Sequence, residues 1–298
     1  MNNSTLNNFT VKTTSFAIIV LKGIGQIMLQ ENAATGFLFL IGIFYGSFAM
    51  GAAALLATVS GTATALLLNY NKSETDKGLY GFSAALVGVA VMLFLKSVIL
   101  SWVFVIIGAS LATIVQHFFI KRNLPVFTLP FVLVTWLIIL LARSYFTDIL
   151  VEPSAAVAST IDYFSFGFKG FGQVIFQDNL VAGLLFFVAV FISSPISALY
   201  GLTGGILSAI IAIQFVVPIT DISIGLFSYN AVLCAIVFAD TQVKAGIWAL
   251  VSVLLSLFVS LFMAKFNMIP LTFPFVLAAF STLFLKRIYS IRKKTFNF

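Results

Sequence analysis

Residues 22–36, KGIGQIMLQENAATG, recur 147 positions later as residues 169–183, KGFGQVIFQDNLVAG. Seven of the fifteen positions are identical and most of the others are conservative. The separation is almost half of the 298 residues, and both copies lie in apolar sequence. The whole chain is therefore an internal duplication of one unit. In a duplicated protein, function is expected where equivalent positions of the two copies carry unusual residues.

The composition is that of an integral membrane protein. Hydrophobic residues make up 61% of the chain and charged residues 8%, against about 25% charged residues in ordinary soluble domains. Since a membrane helix needs about 20 apolar residues, the apolar runs predict an all-α fold with about ten transmembrane helices, five in each half. The run 37–68 is too long for one helix, and we predict a turn at Gly51.

An odd number of crossings in each half predicts that the second repeat is inverted relative to the first. Under the positive-inside rule, the basic pair Lys121–Arg122 and the basic C-terminal tail are expected in the cytoplasm. Both termini would then be cytoplasmic. We interpret the net charge of +7 as an orientation signal that contacts anionic lipid headgroups, and not as a nucleic-acid-binding surface. The predicted segments are an N-terminal tail (1–15), a first membrane repeat (16–147), an acidic extracellular linker (148–166), a second, inverted repeat (167–285) and a basic cytoplasmic tail (286–298).

Few residues in this chain can do acid–base, nucleophilic or metal chemistry. It has one histidine, His117, for which we expect an interfacial or packing role, and one cysteine, Cys234, which excludes an intrachain disulfide. No P-loop, metalloprotease or nucleophile-elbow motif occurs. The sequence therefore predicts neither an enzyme nor a site for a metal or cofactor.

Polar residues recur at equivalent places of the two copies. Gln26 and Gln173 lie within apolar sequence, and each is followed by an acidic residue and an asparagine. A lone membrane glutamine commonly forms an interhelical hydrogen bond, but its recurrence favours a binding site. We interpret the pairs Glu31–Asn32 and Asp178–Asn179 as helix-end and turn groups.

A second matched element is GLYGFSAALVG (78–88) against GLFSYNAVLCA (225–235). Each is too short to cross the membrane together with its turn, so we predict two re-entrant pore half-helices, which a membrane tolerates where protein or water shields the backbone. In this alignment Phe82 corresponds to Tyr229 and Leu86 to Leu233. Ordinary apolar packing is the alternative explanation for these side chains.

The third matched element is NLPVFTLPF (123–131), echoed by IPLTFPF (269–275). Proline lacks an N–H group, so Pro130 and Pro274 leave the carbonyls of Val126 and Pro270 without their helical donors. Thr128 and Thr272 stand beside these breaks. Such interruptions at matching positions of two inverted halves are typical of a binding site near the bilayer centre. Alternatively, the threonine hydroxyls bond back to their own helices.

With these elements, the chain resembles the urea transporter family. Residues 124–131 match its LPxxTxPF signature, and the five-helix duplication, the Gly-x-Gln stretches and the GLYGF element are also similar, over nearly the whole chain. The second copy departs from the signature. Its first proline, Pro270, precedes Thr272 by two residues instead of three. The sequence therefore does not predict the backbone conformation of this segment.

The resemblance implies a homotrimer in a bacterial plasma membrane, with one pore in each subunit. Gln26 and Gln173 would flank two outer sites, and Thr128 and Thr272 would stand at the central constriction. Six apolar or aromatic side chains would form slots around the solute: Leu29, Phe82, Leu86, Phe176, Tyr229 and Leu233.

Urea itself suits such a pore, because it is flat and neutral and offers four N–H donors and one carbonyl. Apolar plates select its shape, and a row of oxygen acceptors replaces its water. We therefore predict a passive, selective urea channel. The alternative is an ion-coupled secondary transporter of a small amide or zwitterion, for which Glu31 and Asp178 are the candidate carboxylates. An intramembrane enzyme or scaffold is a third class, without a supporting constellation.

Overall fold

The computed structural model describes residues 16–125, 127–152, 165–215 and 217–296, with only the backbone for 293–296. Throughout these ranges the regular structure is helical, and a single isolated bridge joins Leu95 to Leu150. This confirms the predicted all-α class. The predicted N-terminal tail, most of the linker, the end of the basic tail and Val126 lie outside the described residues.

The described helices follow the same order twice. A helix with a broken end is followed by two helices, a short helical turn, a short apolar helix, a long helix and a final helix. In the first half these are α1 (16–25), α2 (Ala33–Gly46), α3 (Phe48–Leu67), α4 (Lys72–Asp76), α5 (Phe82–Phe94), α6 (Ile99–Ile120) and α7 (Leu129–Tyr145). In the second half they are α8 (Ser165–Val174), α9 (Leu180–Ser193), α10 (Pro195–Ala212), α11 (Ile219–Ser223), α12 (Tyr229–Val237), α13 (Val243–Lys265) and α14 (Phe273–Phe296).

Five of these helices are long and apolar enough to cross a membrane, by length and composition: α3, α6, α10, α13 and α14. A sixth span results if α1, extended by the 3₁₀ turn Gln26–Met28, is counted with α2, to which it is bent by 76°. These helices fit a multi-pass membrane protein. The number of ten crossings stays a prediction.

The chain breaks between α2 and α3 at Ser47, so the predicted turn at Gly51 was wrong; Gly51 lies inside α3. Ser47 has an extended backbone, and its hydroxyl accepts a hydrogen bond from the amide of Met50 at 3.3 Å. The matching break in the second half is at Ser194, whose hydroxyl accepts from the amide of Ser197 at 3.3 Å. N-terminal caps of this kind satisfy the free amides of a first helical turn, and the serine that recurs 147 positions later was the missed signal.

The chain divides into two compact units. The first comprises the described part of Met1–Asn123 with Leu133–Val151, and the second Leu124–Val132 with the described part of Glu152–Phe298. In the first unit α5 packs on α3 and α6, and in the second α12 packs on α8, α10 and α13. Eleven of the 13 residues of α5 and eight of the nine of α12 are buried. A helix that is apolar on all sides belongs in a core, so each short helix is the centre of its unit.

Candidate functional site

The two glutamine stretches end in the same tight turn. Leu29 and Phe176, at matching positions, both have a left-handed backbone, with φ of 62° and 57°. The amide of Leu29 donates to the Gln26 carbonyl at 3.0 Å, and the amide of Phe176 donates to the Gln173 carbonyl at 3.1 Å. Helices commonly end in such a turn, with glycine at the left-handed position. Here a bulky apolar residue occupies that position in both copies, at a cost in backbone strain that is typical of functional sites.

The acidic–asparagine pairs lie at helix ends, as predicted. The Asn32 side-chain oxygen accepts from the amide of Ala34 at 2.8 Å and so caps α2, and the Asn179 oxygen accepts from the amide of Ala182 at 2.8 Å and caps α9. Glu31 is 43% exposed and forms an ion pair with Lys22 at 3.1 Å. Asp178 is exposed. Neither carboxylate is therefore buried.

In each unit, a left-handed glycine shortly before the half-helix packs closely against the first helix of that unit. Gly78 has φ of 77°, and a Cβ at this position would lie 2.4 Å from the amide nitrogen of Gly23. Gly225 has φ of 90°, and its Cβ would lie 2.9 Å from the amide nitrogen of Gly170. Only glycine permits both the conformation and the approach. Close backbone packing thus accounts for the glycines at these positions.

The side-chain amide of Gln26 donates to the Lys77 carbonyl at 3.0 Å, so it spans from the glutamine turn to the loop before α5. This bond lies within the first unit, and it is the structural role that the sequence offered as the alternative to a binding site. Gln173 is 6% exposed, in the second unit. The two glutamines therefore have matching backbones but different surroundings.

The apolar side chains predicted for the half-helices lie in the core of each unit. Phe82 and Leu86 are buried in the first unit, and Tyr229 and Leu233 in the second. The Tyr229 hydroxyl donates to the Leu271 carbonyl. The first half has no counterpart of this bond from the side chain at position 82, since phenylalanine carries no hydroxyl.

The two signature segments share two left-handed residues at matching positions in spite of the displaced proline. Asn123 and Asn267 are left-handed, with φ of 54° and 52°, and Phe127 and Leu271 repeat the pattern with φ of 48° and 45°. Both pairs are 144 positions apart. The left-handed positions on either side of Pro270 are therefore the same as those of the first copy.

Thr128 and Thr272 lie side by side in the second unit, to which Leu124–Val132 also belongs. Their hydroxyl oxygens are 2.6 Å apart, and the side chains are 3% and 0% exposed. The hydroxyls therefore bond to each other. Because two hydroxyls share two protons and four lone pairs, one hydrogen bond between them leaves both accepting and donating capacity for a third group.

Aromatic rings lie around this threonine pair. Phe127 and Phe275, each next to or near one of the threonines in sequence, have ring centroids 5.1 Å apart. Phe131 lies with its ring centroid 6.1 Å from that of Phe176. A neutral polar pair in apolar surroundings can accept hydrogen bonds from an uncharged solute and carries no charge that would pair with an ion.

One predicted acceptor needs correction. The Pro270 carbonyl, expected to lack a donor because of Pro274, accepts from the amide of Phe273 at 3.0 Å. A tight turn at the start of α14 thus replaces the missing helical bond. The corresponding carbonyl of the first copy belongs to Val126, outside the described residues.

The sequence did not predict the bonds of Asn230 or the partners of His117. Asn230, 2% exposed, bonds with the second signature, and an asparagine inside an apolar half-helix was the available signal. A second polar group surrounds His117. Its Nδ1 is 3.0 Å from the Tyr80 hydroxyl, which donates to Glu74 at 2.5 Å, and its ring stacks on Tyr70 at 3.6 Å. The packing role expected for His117 is confirmed.

Among the residues with described positions, no three His, Cys, Asp or Glu side chains are grouped to hold a metal ion.

Comparison with known proteins adds the family. The family model described as Urea transporter matches residues 17–287. The chain is 30% identical over 234 residues to Urea transporter 1 of Rattus norvegicus, a match that covers 73% of this chain and 61% of that protein. It is 29% identical over 284 residues to Urea transporter 1 of Capra hircus, with 87% of this chain and 74% of that protein covered. The chain thus spans about three fifths of the rat protein's length. With nearly its entire length matched to the family model, this chain belongs to the urea transporter family.

Proposed function

We propose that this protein is a passive, selective urea channel of a cell membrane. Membership in the urea transporter family and the names of the similar proteins support urea as the solute. The single observation that carries the proposal is the buried hydrogen-bonded pair of Thr128 and Thr272, formed by the two copies of one signature.

The threonine pair suits a neutral solute with several N–H groups. Each hydroxyl can accept a hydrogen bond from urea, and the proton that is not used between the two threonines can be donated to the urea carbonyl. Neutral hydrogen bonds contribute about 1 kcal/mol net each, which is strong enough to replace water and weak enough to release the solute. Conduction requires this balance.

The proposed selectivity depends on shape as well as on hydrogen bonds. Leu29 and Phe176 project from strained turns at matching positions, and their side chains are the most direct candidates for the walls of two solute slots. The buried Phe82, Leu86, Tyr229 and Leu233 would line or back the same slots. Gln26 and Gln173 would offer amide groups at the outer ends. A flat solute would pass, and thicker or hydrated solutes would be excluded.

The passive mechanism is favoured over ion coupling by the state of the two candidate carboxylates. Coupled transporters use buried ionisable groups that pair with protein partners. Here Glu31 is 43% exposed and paired with Lys22, and Asp178 is also exposed. Neither carboxylate lies in a desolvated site in which ion binding would change its surroundings.

The remaining parts of the proposal concern membrane topology and assembly. We propose ten crossings in two inverted repeats with re-entrant half-helices, a homotrimer with one pore in each subunit, cytoplasmic termini and a bacterial plasma membrane. The repeated order of helices supports the duplication, and the positions of the basic residues support the orientation. The short lengths of α5 and α12, 13 and nine residues, suit half-helices.

Flux into proteoliposomes tests the proposal. Vesicles that contain the purified protein should equilibrate labelled urea in the absence of any proton or sodium gradient, and protein-free vesicles should do so much more slowly. Uptake that concentrates urea, and only when a gradient is present, would contradict the passive mechanism and favour coupling.

A further inference from the structure

We propose that Asn230 is a positioning residue, which holds the strained turn of the second signature and so presents the Thr272 hydroxyl to the solute. This inference rests on the proposed urea channel. It assigns to Asn230 no contact with urea, and the bonds on which it depends lie within the second unit.

Asn230 bonds to both sides of Thr272 in the chain. Its side-chain amide donates to the Leu271 carbonyl at 3.3 Å, and its side-chain oxygen accepts from the amide of Phe275 at 3.2 Å. The side chain is 2% exposed, so water cannot replace these bonds. Asn230 therefore connects the residue before Thr272 to the first turn of α14.

The first turn of α14 needs such a partner. The amides at a helix N-terminus have no partner within the helix, and Pro274 carries no N–H. The amide of Phe273 donates to the Pro270 carbonyl at 3.0 Å, and that of Val276 donates to the Thr272 carbonyl at 3.1 Å. The amide of Phe275 lies between them and donates to Asn230. Asn230 thus completes the capping of α14 from another helix.

The turn itself is strained. Leu271 has φ of 45°, a left-handed conformation that non-glycine residues rarely adopt. Its carbonyl accepts from two buried side chains, Tyr229 and Asn230. Strained conformations of this kind persist where the surroundings fix them. Without these donors, the turn would lose the bonds that orient the next residue, Thr272.

The first half supplies an internal contrast. Ser83 occupies the position on α5 that matches Asn230, and its hydroxyl donates to the side chain of Gln116 at 3.2 Å. Ser83 therefore serves helix packing inside the first unit. Asparagine at 230 is a specific feature of the half in which the first proline of the signature is displaced.

A double-mutant cycle tests whether Asn230 acts through Thr272. Asn230→Ser introduces the side chain of the matching position, which is too short to make both bonds, and we expect it to slow urea flux about fivefold, the equivalent of one lost hydrogen bond. In protein that already carries Thr272→Val, the same change should have little further effect, because coupled residues are not additive. Ser83→Ala is the matched control, and its effect should multiply with that of Thr272→Val. Equal effects of Asn230→Ser in the two backgrounds would overturn the proposal.

Amide hydrogen exchange gives a readout that is independent of urea. In the wild-type protein the Phe275 amide should exchange slowly, and Asn230→Ser should accelerate it about tenfold. Fast exchange in the wild type, or unchanged exchange in the variant, would overturn the role of Asn230, and the wild-type measurement decides even if the variant does not fold. A wild-type protein with a protected Phe275 amide that fails to pass urea would overturn the proposed function alone.

Discussion

Leu29 and Phe176 lie 147 positions apart and share one backbone conformation, with φ of 62° and 57°. Both are bulky residues in a position where glycine would be unstrained. Both copies keep this strain although neighbouring positions have diverged, which supports the proposed role of the two side chains in the solute slots.

Replacement of Leu29 by glycine should separate stability from selectivity. Leu29→Gly relieves a left-handed strain of about 1 kcal/mol, and the lost side chain is 40% exposed, so we expect thermal stability in detergent to be unchanged or higher. The proposed slot would be wider, and flux of bulkier urea derivatives relative to urea should rise several-fold. Leu29→Ala is the control, since it widens the slot and retains the strain. Unchanged selectivity in both variants would remove Leu29 from the slot.

The threonine pair should show non-additive effects. Thr128→Val or Thr272→Val removes one hydroxyl and leaves the other buried without its partner, at a cost of about 1–3 kcal/mol. Each variant should slow urea flux about fivefold or more. The double variant should lose less free energy of unfolding than the two single variants together, because no hydroxyl is left without its partner. Thermal unfolding and stopped-flow urea flux measure the two quantities, and normal flux in folded single variants would exclude the threonines from the mechanism.

Both glutamines should affect urea flux, and Gln26 should also affect stability. Gln26→Leu removes the 3.0 Å bond to the Lys77 carbonyl and should both raise the urea concentration for half-maximal flux and lower stability by about 1 kcal/mol. Gln173→Leu, at the matching position of the second copy, should also slow urea flux. Wild-type flux in both folded variants would remove the glutamines from the proposed outer sites.

Tyr80→Phe should weaken the group around His117 without changing the pore. The variant loses the hydroxyl that bonds to Glu74 and His117, and the partners lose their shared bond, so we expect a loss of about 1–3 kcal/mol in the free energy of unfolding. Tyr70→Phe keeps the ring stacked on His117 and should have a small effect. If Tyr80→Phe is as stable as the wild type, the hydrogen-bonded chain contributes nothing.

The repeat at residues 22–36 and 169–183 predicted the duplication, and the composition and the lengths of the apolar runs predicted an all-helical membrane protein, because both signals are visible in one sequence. The threonine pair was predicted as two related positions. That they bond to each other depends on tertiary packing between segments 144 residues apart, which no local pattern encodes.

Local backbone chemistry was harder to predict. The break at Ser47 was placed at Gly51, since glycine is the commoner turn signal and the capping preference of serine acts over only two or three residues. The Pro270 carbonyl was expected to be free, but the chain forms a tighter turn in which the amide of Phe273 reaches it. Asn230 was visible only as an asparagine inside an apolar half-helix, because its importance comes from the distant residues that it bonds.

The half-helix α12 is shorter than α5, with nine residues against 13, and the spacing between the copies falls from 147 to 144 across this element. The matched turns on either side keep their φ values, so the three-residue difference in spacing leaves these turns unchanged. Residues 240–244, which follow α12, are exposed. This junction is therefore a suitable place to attach a fluorophore or an affinity peptide for single-molecule studies, at a distance along the chain from both signature segments.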